Sequence, residues 1–307
     1  MITYMFPGQG SQIRGMGGSL FDEYSNLTEI ADEILGYSIK ELCLHDPDNH
    51  LSQTQYTQPA VYTVTVLMYL KKTGGTDGKP DYFAGHSLGE YCALFAASAF
   101  DFETGLKLVQ KRGQLMSRAV GGGMAAVMGL HEDVVQRILV DCGLATVTIA
   151  NYNTPSQIVI SGLKEDIIKA RPVFEKAGVD IYIPLDVSGA FHSQHMVAAR
   201  EEFEKFIGQF DFSEPAIPVI SNVNARPYRR SDIKKNLVEQ ITSPVRWTDS
   251  ILYLMGKGEM VFEEVGPGSV LKKLISRIRH EADTCAVNQD EKDRKSTRLN
   301  SSHVSQY

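Results

Sequence analysis

Cysteine is scarce and scattered in this 307-residue chain: there are four, Cys43, Cys92, Cys142 and Cys285, with no C-x-x-C pair. That excludes a disulfide framework and a clustered zinc site, and it reads as reduced thiols in a cytoplasmic protein. Long apolar runs are also missing, so no segment has the length of a membrane span. Positive charge is in deficit. The 31 Lys and Arg against 37 Asp and Glu give a formal net charge of −6, which argues against nucleic acid or an anionic membrane as a main partner. No basic-then-apolar leader is read at the start, because Ile2–Phe6 has the pattern of a strand ending at Pro7. A third glycine is absent after Gly8-Gln9-Gly10, Ile13 standing where a dinucleotide fingerprint needs it. What remains is 43% hydrophobic and 22% charged, ordinary for a globular enzyme of two domains or one domain with an insertion.

Against that background one stretch stands out, Gly85-His86-Ser87-Leu88-Gly89. It follows the apolar run Tyr82-Phe83-Ala84 and opens a nearly all-apolar segment, Tyr91 to Phe100. Strand, sharp turn and buried helix form the context of a G-x-S-x-G nucleophile elbow. The flanking glycines suit a turn too tight for a Cβ. Ser87 would sit exposed at a helix N-terminus, where free N–H groups and the helix dipole favour a developing oxyanion.

Periodicity places further elements on both sides of the elbow. Helical patterns run over residues 26–44, from Thr57 onward, and over 101–119, with a mobile connection at 71–80. After Gly121-Gly122-Gly123 the order changes: strand 124–130, helix 132–142, strands 146–150 and 157–161 around an Asn-Tyr-Asn-Thr-Pro turn, helix 165–177, strand 180–187. That βαββαβ order is the ferredoxin-like split. A helix over 195–210, strand 219–221, helical 244–256, strand 260–265 and helix 270–280 complete the larger unit. The expected fold is thus α/β: a hydrolase-like body with a parallel sheet (residues 1–123 and 191–288) and an inserted ferredoxin-like subdomain (124–190). Residues 289–307, polar and aperiodic, read as a disordered and non-native tail. A cleft between the two units is where a ligand would bind.

A serine hydroxyl needs a base. Among eight histidines, His192 is best placed, where the inserted unit hands back to the body. His195, three residues on, raises a metal-pair reading that no third ligand supports; no metal is expected. His86 adjoins the serine, yet neighbouring elbow residues point apart. No acid to orient His192 is evident. Asp249 and Asp186 are open options, and a backbone carbonyl would serve equally. One oxyanion donor should be the N–H of Leu88, and the Gly8-Gln9-Gly10 backbone suits the second. Arg112 falls on the apolar half of its helix, between Leu108 and Leu115. An inward arginine must meet something anionic, either a buried acid or a ligand carboxylate.

Seven segments together resemble the malonyl-CoA:acyl carrier protein transacylase family: PGQGSQ (7–12), TQPA (57–60), GHSLGE (85–90), Arg112-Gly113, GAFHS (189–193), PVRWT (244–248) and EVGPG (264–268). Within it, the chain looks most like stand-alone acyltransferases that serve polyketide synthases in trans. The resemblance implies Ser87 as nucleophile, His192 as base, Gln9 and Leu88 N–H groups as oxyanion hole, and Arg112 as clamp on the malonyl carboxylate. It also implies that Gln58 and Asn153 lie near the acyl pocket, and that a backbone carbonyl around Arg246 orients the histidine. Leu88 and Ala190-Phe191 are similar to the malonyl-selective variants. Implied partners are malonyl-CoA and an acyl carrier protein or carrier domain of a polyketide synthase, with no cofactor. Acyl-thioester hydrolysis on the same fold and non-catalytic carrier docking are the alternatives.

Overall fold

A computed structural model describes residues 1–75 and 79–282. The tail read at 289–307, the end of the body at 283–288, and Cys285 lie outside them. Four parallel strands build the first sheet: β1 (Ile2–Phe6), β2 (Tyr82–Gly85), β7 (Val219–Ile220) and β8 (Val261–Glu264), in the order β7-β2-β1-β8. Helices cover both faces, so β1 is buried over Thr3 to Phe6 and reads as a continuous apolar run, as a central parallel strand should. Its register against β2 pairs Thr3 with Tyr82 and Phe6 with Gly85. The loops leaving the two strands, Pro7-Gly8-Gln9 and His86-Ser87, therefore emerge side by side at the carboxyl edge, where open α/β sheets bind ligands.

The second sheet holds β3 (Gly122–Met128), β4 (Thr148–Thr154), β5 (Gln157–Leu163) and β6 (Ile181–Pro184), all antiparallel, in the order β4-β5-β3-β6. Helices Glu132–Asp141 and Lys164–Lys176 complete the β-α-β-β-α-β order. The alternation of side chains along a strand divides this sheet between two cores. Ala125, Val127, Ile149 and Ile160 pack with Val135 and Phe174 of the subdomain's own helices. Met124, Ala126, Ala150 and Val159 face the other way and join the main core. Backbone bonds sew the seam as well: Tyr152 N–H donates to Val245 O at 2.9 Å, and Val245 N–H to Ala150 O at 2.8 Å.

Several expectations are corrected in detail. The single helix expected over 26–44 is two, Ser25–Leu35 and Ile39–Leu44, because Gly36 turns left-handed at φ 79° and caps the first. The helix expected from Thr57 starts at Thr54 and runs to Thr73, with Pro59 inside it. The expected mobile connection at 71–80 therefore begins as helix, and residues 76–78 lie outside the described ones. The Asn-Tyr-Asn-Thr stretch is not a turn but the end of β4. Register shifts at Ile149/Asn151 and Tyr152/Thr154 absorb the irregularity, and the chain reverses only at Pro155-Ser156. Among the described residues no helix is long and apolar enough to cross a membrane.

Candidate active site

The elbow forms as the motif requires. Ser87 sits at φ 51°, a left-handed conformation costing on the order of 1–2 kcal/mol for a residue with a side chain. The glycines around it are steric necessities. A Cβ on Gly85 would lie 2.1 Å from Gly89 C and O, and one on Gly89 would lie 2.0 Å from Phe6 O. Gly8 is held equally close, a Cβ there meeting His86 O at 2.4 Å and Leu88 N at 3.5 Å. That approach brings the Gln9 loop against the elbow. No hydrogen bond among the described residues engages the N–H of Gln9 or of Leu88, so the two expected oxyanion donors flank the serine uncommitted.

Ser87 and His192 meet directly, Ser87 Oγ donating to His192 Nε2 at 2.8 Å. The tautomer follows from the other ring nitrogen. Nδ1 faces two carbonyls, Gln240 O at 2.8 Å and Ser243 O at 3.2 Å; carbonyls only accept, so Nδ1 carries the proton and Nε2 is the acceptor. Burial, and next the nearby Arg112 charge, push the imidazole down to about 3. It is a neutral base, already pointed at the hydroxyl. His192, like Ser87, is held at positive φ (57°).

The carbonyl expected near Arg246 is not the one used. Arg246 is the N-cap of helix Trp247–Met255, and its carbonyl accepts from Ser250 N at 3.0 Å and Ser250 Oγ at 2.8 Å. A helix-capping carbonyl is committed to its own first turn, and the Gln240 and Ser243 carbonyls upstream hold the ring instead. Neither acid option reaches the ring: Asp249 pairs with Arg246 at 2.7 Å and Asp186 is exposed.

Arg112 points inward, as its place on the helical wheel predicts. Asp101 caps helix Phe102–Ser117 by accepting from Thr104 N at 2.8 Å. Against it runs helix Thr54–Thr73, close enough that a Cβ on Gly113 would meet Thr54 O at 3.0 Å. Arg112 is thereby delivered to Gln58, Nη1 donating to Gln58 Oε1 at 2.8 Å. Nη2 donates to Gln240 Oε1 at 2.9 Å and to Ser87 Oγ at 3.1 Å. Arg112 is 1% exposed, yet no ion pair to it occurs among the described residues. Burial lowers its affinity for the proton, but an arginine stays charged. The guanidinium rests on neutral acceptors.

Around these groups lies a crevice of about 200 Å³, lined from the body by Gln9, Ser87 and Arg112 and from the subdomain by Met124, Asn153 and Leu185. Phe191 and Gln58 line it too. Asn153 accepts from His86 Nε2 at 2.9 Å, tying the subdomain to the residue before the serine. The Leu88 side chain does not line the crevice; it is fully buried in the main core. His195 turns away, its Nε2 donating to Thr146 O at 3.0 Å. Among the described residues no group of three or more His, Cys, Asp or Glu is gathered around a metal position.

Three polar residues lie beneath the crevice, and two of them, Asn222 and Gln240, fall outside every recognised segment. Asn222 accepts from Ser87 N at 2.7 Å and donates to Gly85 O at 2.7 Å, bracing the elbow. Gln240 donates to Ser87 O at 2.9 Å and to Glu90 Oε2. Glu90, fully buried, also accepts from Asn222 N and Tyr228 OH, each at 2.8 Å. Burial pushes its carboxyl up to about 7, against the pull of these donors and of Arg112. Only Glu90 was detectable from sequence, as a lone charge heading an otherwise apolar helix.

Comparison with known proteins places the chain in a family. The family model described as acyl transferase domain matches residues 3–302. The chain is 61% identical over 284 residues to a protein of Bacillus subtilis named polyketide biosynthesis malonyl CoA-acyl carrier protein transacylase PksC, covering 92% of this chain and 99% of that one. A second B. subtilis protein, malonyl CoA-acyl carrier protein transacylase, is 39% identical over 302 residues, covering 94% of each. Among solved structures, the malonyl CoA-acyl carrier protein transacylase of Burkholderia pseudomallei superposes with a TM-score of 0.89 at 49% identity, covering 91% of this chain and 98% of that one. A malonyl-transacylase solved in complex with a type II polyketide synthase acyl-carrier protein gives 0.85 at 34% identity, covering 90% and 92%.

Proposed function

The chain belongs to the acyl transferase domain family, and from that premise we propose that it moves a malonyl group from malonyl-CoA to the phosphopantetheine thiol of an acyl carrier protein in polyketide synthesis. The observation that carries this reading is the buried, unpaired guanidinium of Arg112, 3.1 Å from a serine hydroxyl that already donates to a neutral histidine.

Ser87 Oγ attacks the thioester carbonyl while its proton passes to His192 Nε2. The imidazolium so formed is steadied by the Gln240 and Ser243 carbonyls on Nδ1. The oxyanion is received by the N–H groups of Gln9 and Leu88, each such donor being worth on the order of 3 kcal/mol. The C–S bond breaks, His192 returns the proton to the departing CoA sulfur, and malonyl-Ser87 remains. The carrier thiol then gives its proton to His192 and attacks the ester. Collapse of the second tetrahedral adduct breaks the C–Oγ bond, and Oγ regains a proton from His192. Throughout, Arg112 would hold the free carboxylate in a charge-assisted pair. An acetyl group leaves the guanidinium without that partner, which disfavours it. The sequence of steps draws on no cofactor, and we place the enzyme in the cytoplasm with its CoA thioester.

Incubation with malonyl-CoA, with and without a carrier protein bearing phosphopantetheine, tests the reading. The expected result is a malonyl adduct on Ser87 that persists in water and is discharged by the carrier thiol. Rapid release of free malonate without carrier would make the protein a hydrolase, and no adduct would make it a docking module.

A further inference from the structure

Arg112 and Glu90 are both buried, one a full positive charge and the other an acid, and they do not touch. In a dry interior a cation and an acid so close ordinarily close into an ion pair, because each offsets the other's lost hydration. Here one carboxamide stands between them. Gln240 Oε1 accepts from Arg112 Nη2 at 2.9 Å, while Gln240 Nε2 donates to Glu90 Oε2 and to Ser87 O. That orientation is forced, since a guanidinium offers only donors and the Ser87 carbonyl only accepts. The acid is pinned from its other side by Asn222 N and Tyr228 OH, each 2.8 Å from Glu90 Oε1.

Building on the malonyl-transfer reading, we propose that the Gln240 side chain is a specificity-determining spacer: it keeps Glu90 off Arg112, leaving the guanidinium free for the carboxylate of a dicarboxylic acyl group. A neutral amide satisfies the N–H of Nη2 without cancelling the charge, and Gln58 does the same for Nη1. A carboxylate at position 240 would accept from Nη2 as well as the amide does, but it would bring its own negative charge to the clamp and leave Ser87 O without its donor. The selectivity of the crevice for charged acyl groups then depends on which of two adjacent buried side chains is the acid and which the amide.

The exchange Glu90→Gln with Gln240→Glu tests this, because it conserves side-chain size and formal charge while it moves the acid; the lost donor to Ser87 O weighs on both acyl groups alike, so the readout is their ratio. Acylation of Ser87 by malonyl-CoA and by acetyl-CoA is read from the intact mass at matched times. The malonyl-to-acetyl ratio is expected to fall about tenfold or more, malonyl loading falling further than acetyl loading; tenfold corresponds to about 1.4 kcal/mol. An unchanged ratio overturns the proposal. Equal loss of both acyl groups does so too, since that is what a merely structural role would give. If the exchanged chain does not fold, Gln240→Leu gives the second test. Without the spacer the guanidinium closes on Glu90 and the ratio drops, while adding Glu90→Gln removes the acid and restores it. A ratio that stays high in Gln240→Leu, or that Glu90→Gln does not restore, refutes the spacer. Wild-type protein that takes no malonyl at all tells instead against the transferase reading.

Discussion

Replacing Arg112 with alanine separates a clamp from a structural arginine. A carboxylate held by two guanidinium N–H groups gains about 1.5–3 kcal/mol per charged hydrogen bond. The resting enzyme already makes three neutral contacts to those groups, at 2.8, 2.9 and 3.1 Å, and substrate must displace some of them. The net loss therefore falls near the low end of the pair, about 3 kcal/mol, or roughly a hundredfold in malonyl loading. Acetyl loading should hold or rise, because the change removes a buried charge that a neutral acyl group cannot meet. The assay is time-resolved mass spectrometry of the Ser87 adduct with each thioester. Stability is a useful companion measurement. With no ion pair to break, the variant orphans two amide oxygens but also sheds the desolvation cost of a buried cation, so its unfolding midpoint should move only modestly. Malonyl loading unchanged relative to acetyl would refute the clamp.

Further expectations concern the base, the elbow and acidity. His192→Ala should slow loading by both thioesters about 10²- to 10⁴-fold while leaving the malonyl-to-acetyl ratio in place; a change in the ratio alone would count against its role as base. Gly89→Ala drives a methyl to 2.0 Å from Phe6 O, and should cost on the order of 3 kcal/mol or more in urea unfolding; a near-neutral result would contradict the elbow packing. Loading by wild type should stay level as pH falls from about 8 to about 5, because His192 titrates near 3. Glu90→Gln, measured in parallel, removes the carboxyl that titrates near 7; a loss centred at 6.5 in that variant would refute the neutral-base assignment. Below pH 6.5 the unfolded chain takes up a proton at position 192 that the fold refuses until about pH 3, so stability is lost as pH falls through that window. His192→Asn should escape this loss, by roughly 3 kcal/mol near pH 4, as read by urea unfolding.

Legibility in the sequence followed the range of the physical signal. Ser87 was readable because an elbow is local: two glycines, a preceding strand and a following apolar helix fix it within fifteen residues. Arg112 was readable because a charge inside an apolar helical stripe breaks a periodic pattern. The two-unit α/β plan was readable from the order of elements, although Gly36, the Thr54 helix start and the bulged end of β4 were decided by tertiary packing. Gln240 and Asn222 gave no warning, since each acts on the elbow from at least 135 residues away. The misplaced orienting carbonyl has the same origin. Arg246 stood in a recognisable segment, but its carbonyl belongs to a helix cap, and the groups that hold His192 lie on the unremarkable turn before it.

One electrostatic problem unites these buried polar groups. The crevice must keep a cation charged, a histidine neutral and a serine poised. Ion pairs would satisfy the hydrogen bonds, but an acid beside Arg112 would fill the place a substrate carboxylate needs, and an acid beside His192 would raise its proton affinity. Every immediate partner found is instead uncharged: the carboxamides of Gln58 and Gln240 on the arginine, the Gln240 and Ser243 carbonyls on the histidine, and Asn222 on the elbow. Neutral dipoles orient the groups and leave the Arg112 charge uncancelled by its immediate partners. Arg112 itself helps to hold His192 unprotonated. On the malonyl-transfer reading, a substrate carboxylate that neutralised Arg112 would make the imidazole a stronger base, so the proposed clamp would also prime the base once substrate is bound.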